Sequence, residues 1–239
     1  MKFEVIRLSS VPSTNTCLKE LAKKGASHGT VVVAEHQTAG RGRLGRTFHS
    51  PSGSGLYLSI LLRPNTPISP ADFTCMAAVA LCETAETYSV TPSIKWVNDL
   101  FVDGRKVAGI LTEGALAEAN QWEYVIIGIG VNLYAPNEGF PSEIRSIAGP
   151  LFSTATVSKE TFCERLLERI GTWFETFEAE KLYSAYKRRL NCLNRRVRVN
   201  NGSKQTVATV ADLSPDFRLL VRTDDGIEFS IGTGEIQFL

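Results

Sequence analysis

No apolar run in this 239-residue chain approaches the ~20 residues needed to span a bilayer, and its opening, MKFEVIRLSS, lacks the apolar stretch of a secretion signal. Histidine is scarce: His28, His36 and His49 share no metal-ligand spacing. The five cysteines, Cys17, Cys75, Cys82, Cys163 and Cys192, are scattered, odd in number and without a C-x-x-C pair. These absences argue against a zinc cluster, a disulfide framework and a membrane partner, and make a reducing cytoplasm the expected compartment. The net charge of +1 gives no general attraction to polyanions. Any anion site must therefore be built locally.

What is present is apolar substance, 43% of residues, enough for a large core and a small second unit. FEVIRL reads as an opening strand. CLKELAKKG reads as a helix, with Thr14 or Asn15 as its cap and Gly25 as its end. TVVVAE and LYLSILL are strand-like, and Asp72 to Tyr88 carries helical spacing through Phe73, Met76, Ala77, Ala80 and Leu81. SIKWVNDLFV and KVAGILTEG read as strands joined by an Asp103-Gly104 hairpin turn. Tyr124 to Leu133 is another strand, and Ser158 to about Leu190 is helical, with Phe162, Leu166, Ile170 and Phe174 forming a core stripe. Beyond Asn191, short strands alternate with Asn-Gly, Ser-Pro-Asp and Asp-Asp-Gly turns. The expected organisation is an α+β domain over residues 1–190 and a small β-barrel of about 50 residues over 191–239.

Residues 38 to 46 read TAGRGRLGR, in which Gly40, Gly42 and Gly45 match the G-x-G-x-x-G spacing of dinucleotide-binding folds. The context fails that reading. SPSGSG cannot open a helix, and LLRPNTP stands where an acidic residue should end the next strand. What remains is a glycine-rich loop bearing Arg41, Arg43 and Arg46, able to close over a carboxylate or phosphate. The spacing predicts a loop that orders once an anion partners its arginines. Nucleic acid is the rival ligand, but balanced charge and the absence of interleaved aromatics count against it.

Two further groups stand out. In KWVND, a strand would point Lys95 and Val97 one way and Trp96 and Asn98 the other. Lys95 lies in an apolar context, either snorkelling to solvent or holding its charge toward a ligand. GILTEG and GIGVN place glycines inside otherwise strong strands, which a close ligand or a close backbone would explain.

Taken with Ser13-Thr14-Asn15, the segments EHQTAGRGRLGR, KWVND, KVAGILTE and IGIGVN resemble the biotin–protein ligases in order and spacing, and FSIGTGEIQF is similar to that family's last barrel strand. The resemblance implies a class II synthetase-like mixed sheet with flanking helices and a C-terminal SH3-like β-barrel. It also implies ATP-dependent activation of biotin to biotinyl-5′-AMP, with Mg²⁺ accompanying ATP, and transfer to a lysine of a biotin carboxyl carrier protein or domain. The implied biotin contacts are Ser13, Thr14, Asn15, Gln37, Gly40, Arg41, Gly42, Arg43 and Lys95. Arg41, Arg46, Phe48, Asn98 and Asn132 take the nucleotide side. Lys95 and Arg43 are the expected catalytic groups, and no dedicated metal ligands are expected. Val97 replaces the usual proline of KWPND, and Phe48 stands where tryptophan is common. The chain is similar to the short form without an N-terminal DNA-binding domain, so no specific DNA partner is expected, and a homodimer has room. A lipoate or octanoate ligase of the related fold is the enzymatic rival, and a non-catalytic RNA-binding module is the rival of another class.

Overall fold

The computed structural model describes residues 1–65, 68–117, 121–201 and 204–239. Glu4–Val11 (β1) and Thr30–Gln37 (β2) pair in parallel across Thr14–Lys23 (α1). Leu56–Leu62 (β3), Pro70–Glu86 (α2), Ser93–Lys95 (β4), Asp99–Val102 (β5), Arg105–Leu116 (β6) and Trp122–Val131 (β7) follow. The seven strands form one sheet in the order β1-β2-β3-β7-β6-β5-β4, antiparallel except at β1–β2, hence mixed.

Period-two alternation gives this sheet two apolar faces. Val31, Val33, Leu58, Ile60, Val125 and Ile127 join the main core with α2. Val32, Leu61 and Ile126 turn the other way, against Leu18 and Ala22 of α1. Both faces are covered, which is why the central strands read as continuous apolar runs. A capping box between Ser69 and Asp72, with Pro70 in the first turn, starts α2. Gly25, at φ +88°, ends α1 as expected, while Ser13, not Thr14 or Asn15, occupies the N-cap.

Two further expectations are corrected. The helical stretch from Ser158 is two helices, Lys159–Glu175 (α3) and Ala179–Lys187 (α4), broken at Thr176. KWVND is not one strand but a reversal. β4 ends at Lys95 and β5 begins at Asp99, so these two residues face each other across the ladder. Arg196–Asn201 (β8), Lys204–Leu213 (β9), Leu219–Arg222 (β10), Glu228–Ile231 (β11) and Glu235–Phe238 (β12) make a second, wholly antiparallel sheet in the order β11-β10-β9-β8-β12. Gly202 of the expected Asn-Gly turn lies outside the described residues. Val197, Val210 and Ile236 of this sheet, and Phe217 in the turn before β10, belong to the same apolar core as β3 and α2.

Candidate active site

On the α1 face, the ladder aligns Ser59 with Gly128 and Leu111, and the next inward-facing row aligns Tyr57 with Gly130 and Gly109. Glycine therefore removes side chains from three adjoining points of an otherwise filled face. Each gap admits a polar or aromatic group. A Cβ on Gly128 would strike the Asn15 amide. One on Gly130 would lie 2.6 Å from the Phe48 ring, and one on Gly109 would lie 3.3 Å from Lys106 Nζ. The result is a cavity of about 250 Å³ at the N-terminus of α1.

One end is uncharged. Ser13, Thr14 and Asn15 are buried there, and Ser13 makes no side-chain capping bond, so its hydroxyl is unspent on the helix. Gln37 Oε1 accepts from the Thr14 backbone N–H at 2.8 Å, while Gln37 Nε2 donates to Ser50 Oγ at 2.9 Å, which fixes the amide's orientation. Ser59, fully buried on β3, donates to Asn15 Oδ1 at 2.6 Å.

The other end is cationic and roofed by the arginine loop. Gly40 to Phe48 forms a hairpin, with Phe48 N–H donating to Gly40 O at 2.9 Å and Gly42 N–H to Arg46 O at 2.7 Å. Leu44 and Gly45 turn its tip at φ +55° and +75°. The loop was expected to lack partners before an anion arrives. Instead, each guanidinium already has protein acceptors. Arg41 meets Glu113 of β6 through two bonds of 2.9 Å. Arg46 meets Glu235 of β12 at 2.5 Å. Arg43 donates to Asn98 Oδ1 at 3.0 Å and to Gly234 O at 3.4 Å.

Asn98 and Asp99 form the centre of the cationic end. Asn98 Nδ2 donates to Asp99 Oδ1 at 3.1 Å, and Asp99 holds the Lys106 ammonium at 2.7 Å. Arg43 and Lys106 are thus joined through the Asn98-Asp99 pair. Of the cations that line the cavity, Arg41, Arg46 and Lys106 each have a carboxylate partner among the described residues, whereas Arg43 has only neutral oxygens. Arg43 keeps the unspent charge.

The structure brings together Ser13, Thr14, Asn15, Gln37, Arg41, Gly42, Arg43, Arg46, Phe48, Asn98 and Asn132 around this cavity. It does not bring in Gly40 or Lys95. Gly40 sits at the base of the hairpin, where a Cβ would strike Phe48 O and Ser50 Oγ. Lys95 faces the second sheet, its ammonium 5.8 Å from the Phe101 centroid and 5.6 Å from that of Phe238. Burial there holds its pKa below the ordinary lysine value, with Asp99 opposing that shift. The cavity's lysine is Lys106, which the sequence reading passed over. Asp99, Ser59, Glu113 and Glu235 were also missed. Only Asp99 carried a signal, as the acidic half of the Asn-Asp pair. Carboxylates at the cavity are committed to Lys106 and arginines, and among the described residues no cluster of three histidine, cysteine, aspartate or glutamate side chains could hold a metal.

Residues 8–132 match the family described as biotin/lipoate A/B protein ligase. The bifunctional ligase/repressor BirA of Bacillus spizizenii is 43% identical over 143 residues, covering 59% of this chain and 44% of that protein. The chain thus spans less than half the length of that relative. BirA of Escherichia coli K12 is 30% identical over 244 residues, covering 96% of this chain and 72% of that protein. Among solved structures, biotin protein ligase from Aquifex aeolicus in complex with biotin and ATP superposes with a TM-score of 0.82 at 27% identity, covering 98% of each chain.

Proposed function

Since the chain belongs to the biotin/lipoate A/B protein ligase family, we propose that it is a biotin–protein ligase. The observation that carries this reading is the two-ended cavity: an uncharged, orientation-fixed hydrogen-bonding end, and a cationic end with one uncompensated guanidinium. Ser13, Thr14, Asn15 and Gln37 suit a neutral ring that both donates and accepts, as a ureido group does. Lys106 and Arg43 suit the place where a carboxylate meets a triphosphate.

In the first step a biotin carboxylate oxygen bonds to the ATP α-phosphorus and the bond to pyrophosphate breaks, leaving biotinyl-5′-AMP. In the second, the neutral amine of a carrier lysine attacks the acyl carbon, AMP leaves, and the proton lost from the amine is taken up by solvent or the leaving phosphate. Both substrates of the first step are anions, so fixed cations offset their repulsion and stabilise the pentavalent transition state. Lys106, held by Asp99, takes the role first expected of Lys95, and Arg43 supplies the free positive charge. The hairpin, closed over the cavity by its arginine contacts, excludes water from the mixed anhydride. Asn98, Asn132, Arg46 and Phe48 take the nucleotide side. The carboxylates lining the cavity, Asp99 and Glu235, are held by Lys106 and Arg46, so Mg²⁺ would accompany ATP's polyphosphate and offset its charge there, without a protein cage.

The proposed units remain 1–190 for chemistry and 191–239 as an SH3-like accessory that walls the cavity with Glu235. The proposed partner is the carrier domain of acetyl-CoA carboxylase or a related carboxylase. A net charge of +1 supplies no general pull toward duplex DNA. The reading places the reaction in the cytoplasm, and a homodimer is compatible with it.

ATP–pyrophosphate exchange with biotin, lipoate or octanoate tests the reading, followed by mass measurement of a carrier domain. Exchange with biotin and an ATP-dependent gain of one biotinyl group are expected. Exchange with lipoate or octanoate but not biotin would move the chain to the sister activity. Salt-dependent RNA binding without turnover would remove it from enzymes.

A further inference from the structure

Glu113 does not line the cavity, yet it touches two residues that do. It stands on β6 opposite Ile126, on the α1 face, one inward-facing row beyond Leu111 and Gly128. Its Oε2 accepts from Arg41 Nη1 at 2.9 Å and from Asn15 Nδ2 at 2.8 Å, and its Oε1 accepts from Arg41 Nη2 at 2.9 Å. The second Asn15 N–H donates to Leu111 O at 3.2 Å, and Ser59 donates to its carbonyl oxygen. Both Asn15 donors therefore point away from the cavity, and the remaining Oδ1 lone pair is its only open function. Arg41 is engaged in the same way: the Nη1/Nη2 edge of its fork, one of the two edges able to grip an anion, is filled by Glu113.

We propose that Glu113 is the positioning residue of the uncharged end, working through Arg41 and Asn15, and resting on the ligase reading above. It locks both against the sheet and cancels the Arg41 charge. Arg41 then serves as a rigid wall for biotin rather than as an anion binder, and the reacting charge is left to Arg43 and Lys106. The contribution falls on biotin affinity, not on turnover.

The test is biotin-dependent ATP–pyrophosphate exchange by the full chain, with thermal melting of each variant. Glu113→Gln keeps the shape but removes the charge and, even with its oxygen at the doubly accepting position, turns an NH₂ toward Arg41 Nη2. The biotin KM should therefore rise roughly 10- to 100-fold, the loss expected when a charge-assisted contact is removed. The kcat should stay within about threefold and the ATP KM unchanged, because the anion-binding groups are untouched. Glu113→Asp, which retains the charge, should recover much of the biotin affinity. Arg41→Gln should raise the biotin KM similarly, and the Arg41→Gln/Glu113→Gln double variant should be no worse than the poorer single one, since both break one unit. An unchanged biotin KM in Glu113→Gln, a fall in kcat at constant biotin KM, or additive losses in the double variant would each overturn the assignment. A parent protein without biotin-dependent exchange would overturn the ligase reading itself, a result separable from these because it precedes any substitution.

Discussion

Two lysines, each followed by an apolar residue, had to be told apart, and local pattern does not do it. Lys95 and Lys106 sit eleven positions apart, on opposite sides of two chain reversals. The strand reading of KWVND assigned alternation without knowing that the chain turns at Trp96–Asn98, which leaves Lys95 against Phe101 and Phe238 and puts Lys106 over Gly109. Lys106→Ala should lower biotin adenylation by about a thousandfold, as for a charged transition-state contact, whereas Lys95→Met should cost less than tenfold. Initial-rate pyrophosphate exchange compares them directly, and the reverse ranking would restore Lys95. Lys95 should instead show in stability. Its folded pKa lies below the ordinary lysine value because burial disfavours its charge. Between that lowered value and the ordinary lysine value the unfolded chain binds more protons than the folded one, so stability from this group rises with pH across the window. Chemical denaturation from pH 8 to 10.5 should show that rise in the parent and a flatter profile in Lys95→Met.

At the scale of elements, the arginine loop and the glycine-bearing strands were legible because their composition contradicts their setting. Guanidiniums among glycines, and glycines inside strands, both call for an outside reason. The break between α3 and α4 was not legible, since apolar spacing continues through Phe174 and Phe177 into Leu182. Nor were the loop's acceptors, because Glu113 and Glu235 are 72 and 189 positions from the arginines they hold. Among these contacts Arg43 is the one without a counter-charge, so its loss should act on the ligand rather than on the fold. Arg43→Gly removes a contact worth roughly 1.5–3 kcal/mol and adds backbone freedom. Biotinyl-5′-AMP should then escape roughly 10- to 100-fold faster. The released anhydride acylates exposed amines, so albumin added to the assay should become biotinylated while adenylate still forms. Labelling confined to the carrier in this variant would deny the hairpin its retaining role.

Across the whole molecule, the change of character after Asn191 announced a second sheet but not how closely it adjoins the candidate site. Trp96 Nε1 donates to Phe217 O at 2.8 Å, Tyr186 Oη to Val97 O at 2.9 Å, and Tyr183 Oη to Leu213 O at 2.7 Å. The KWVND reversal is therefore clamped by Tyr186 of α4 and by the turn before β10, while its Asn98 lines the cavity. The same sheet presents Gly234 and Glu235 to Arg43 and Arg46. The hairpin thus closes against an acidic corner of the second sheet, and its position depends on a charge pair across the seam. Arg46 is largely exposed and Glu235 only partly so, which limits what the pair contributes to folding. Its effect belongs to closure. Glu235→Arg should set two cations against each other, raise the ATP KM about tenfold and quicken adenylate escape, with the melting temperature moving by no more than about 2 °C. Reversing the pair, Arg46→Glu with Glu235→Arg, should recover most of the ATP affinity, because the attraction is rebuilt with its ends exchanged. Failure of the reversed pair to recover, with both singles impaired, would mean that Arg46 acts on the nucleotide directly and that its contact with the second sheet is incidental.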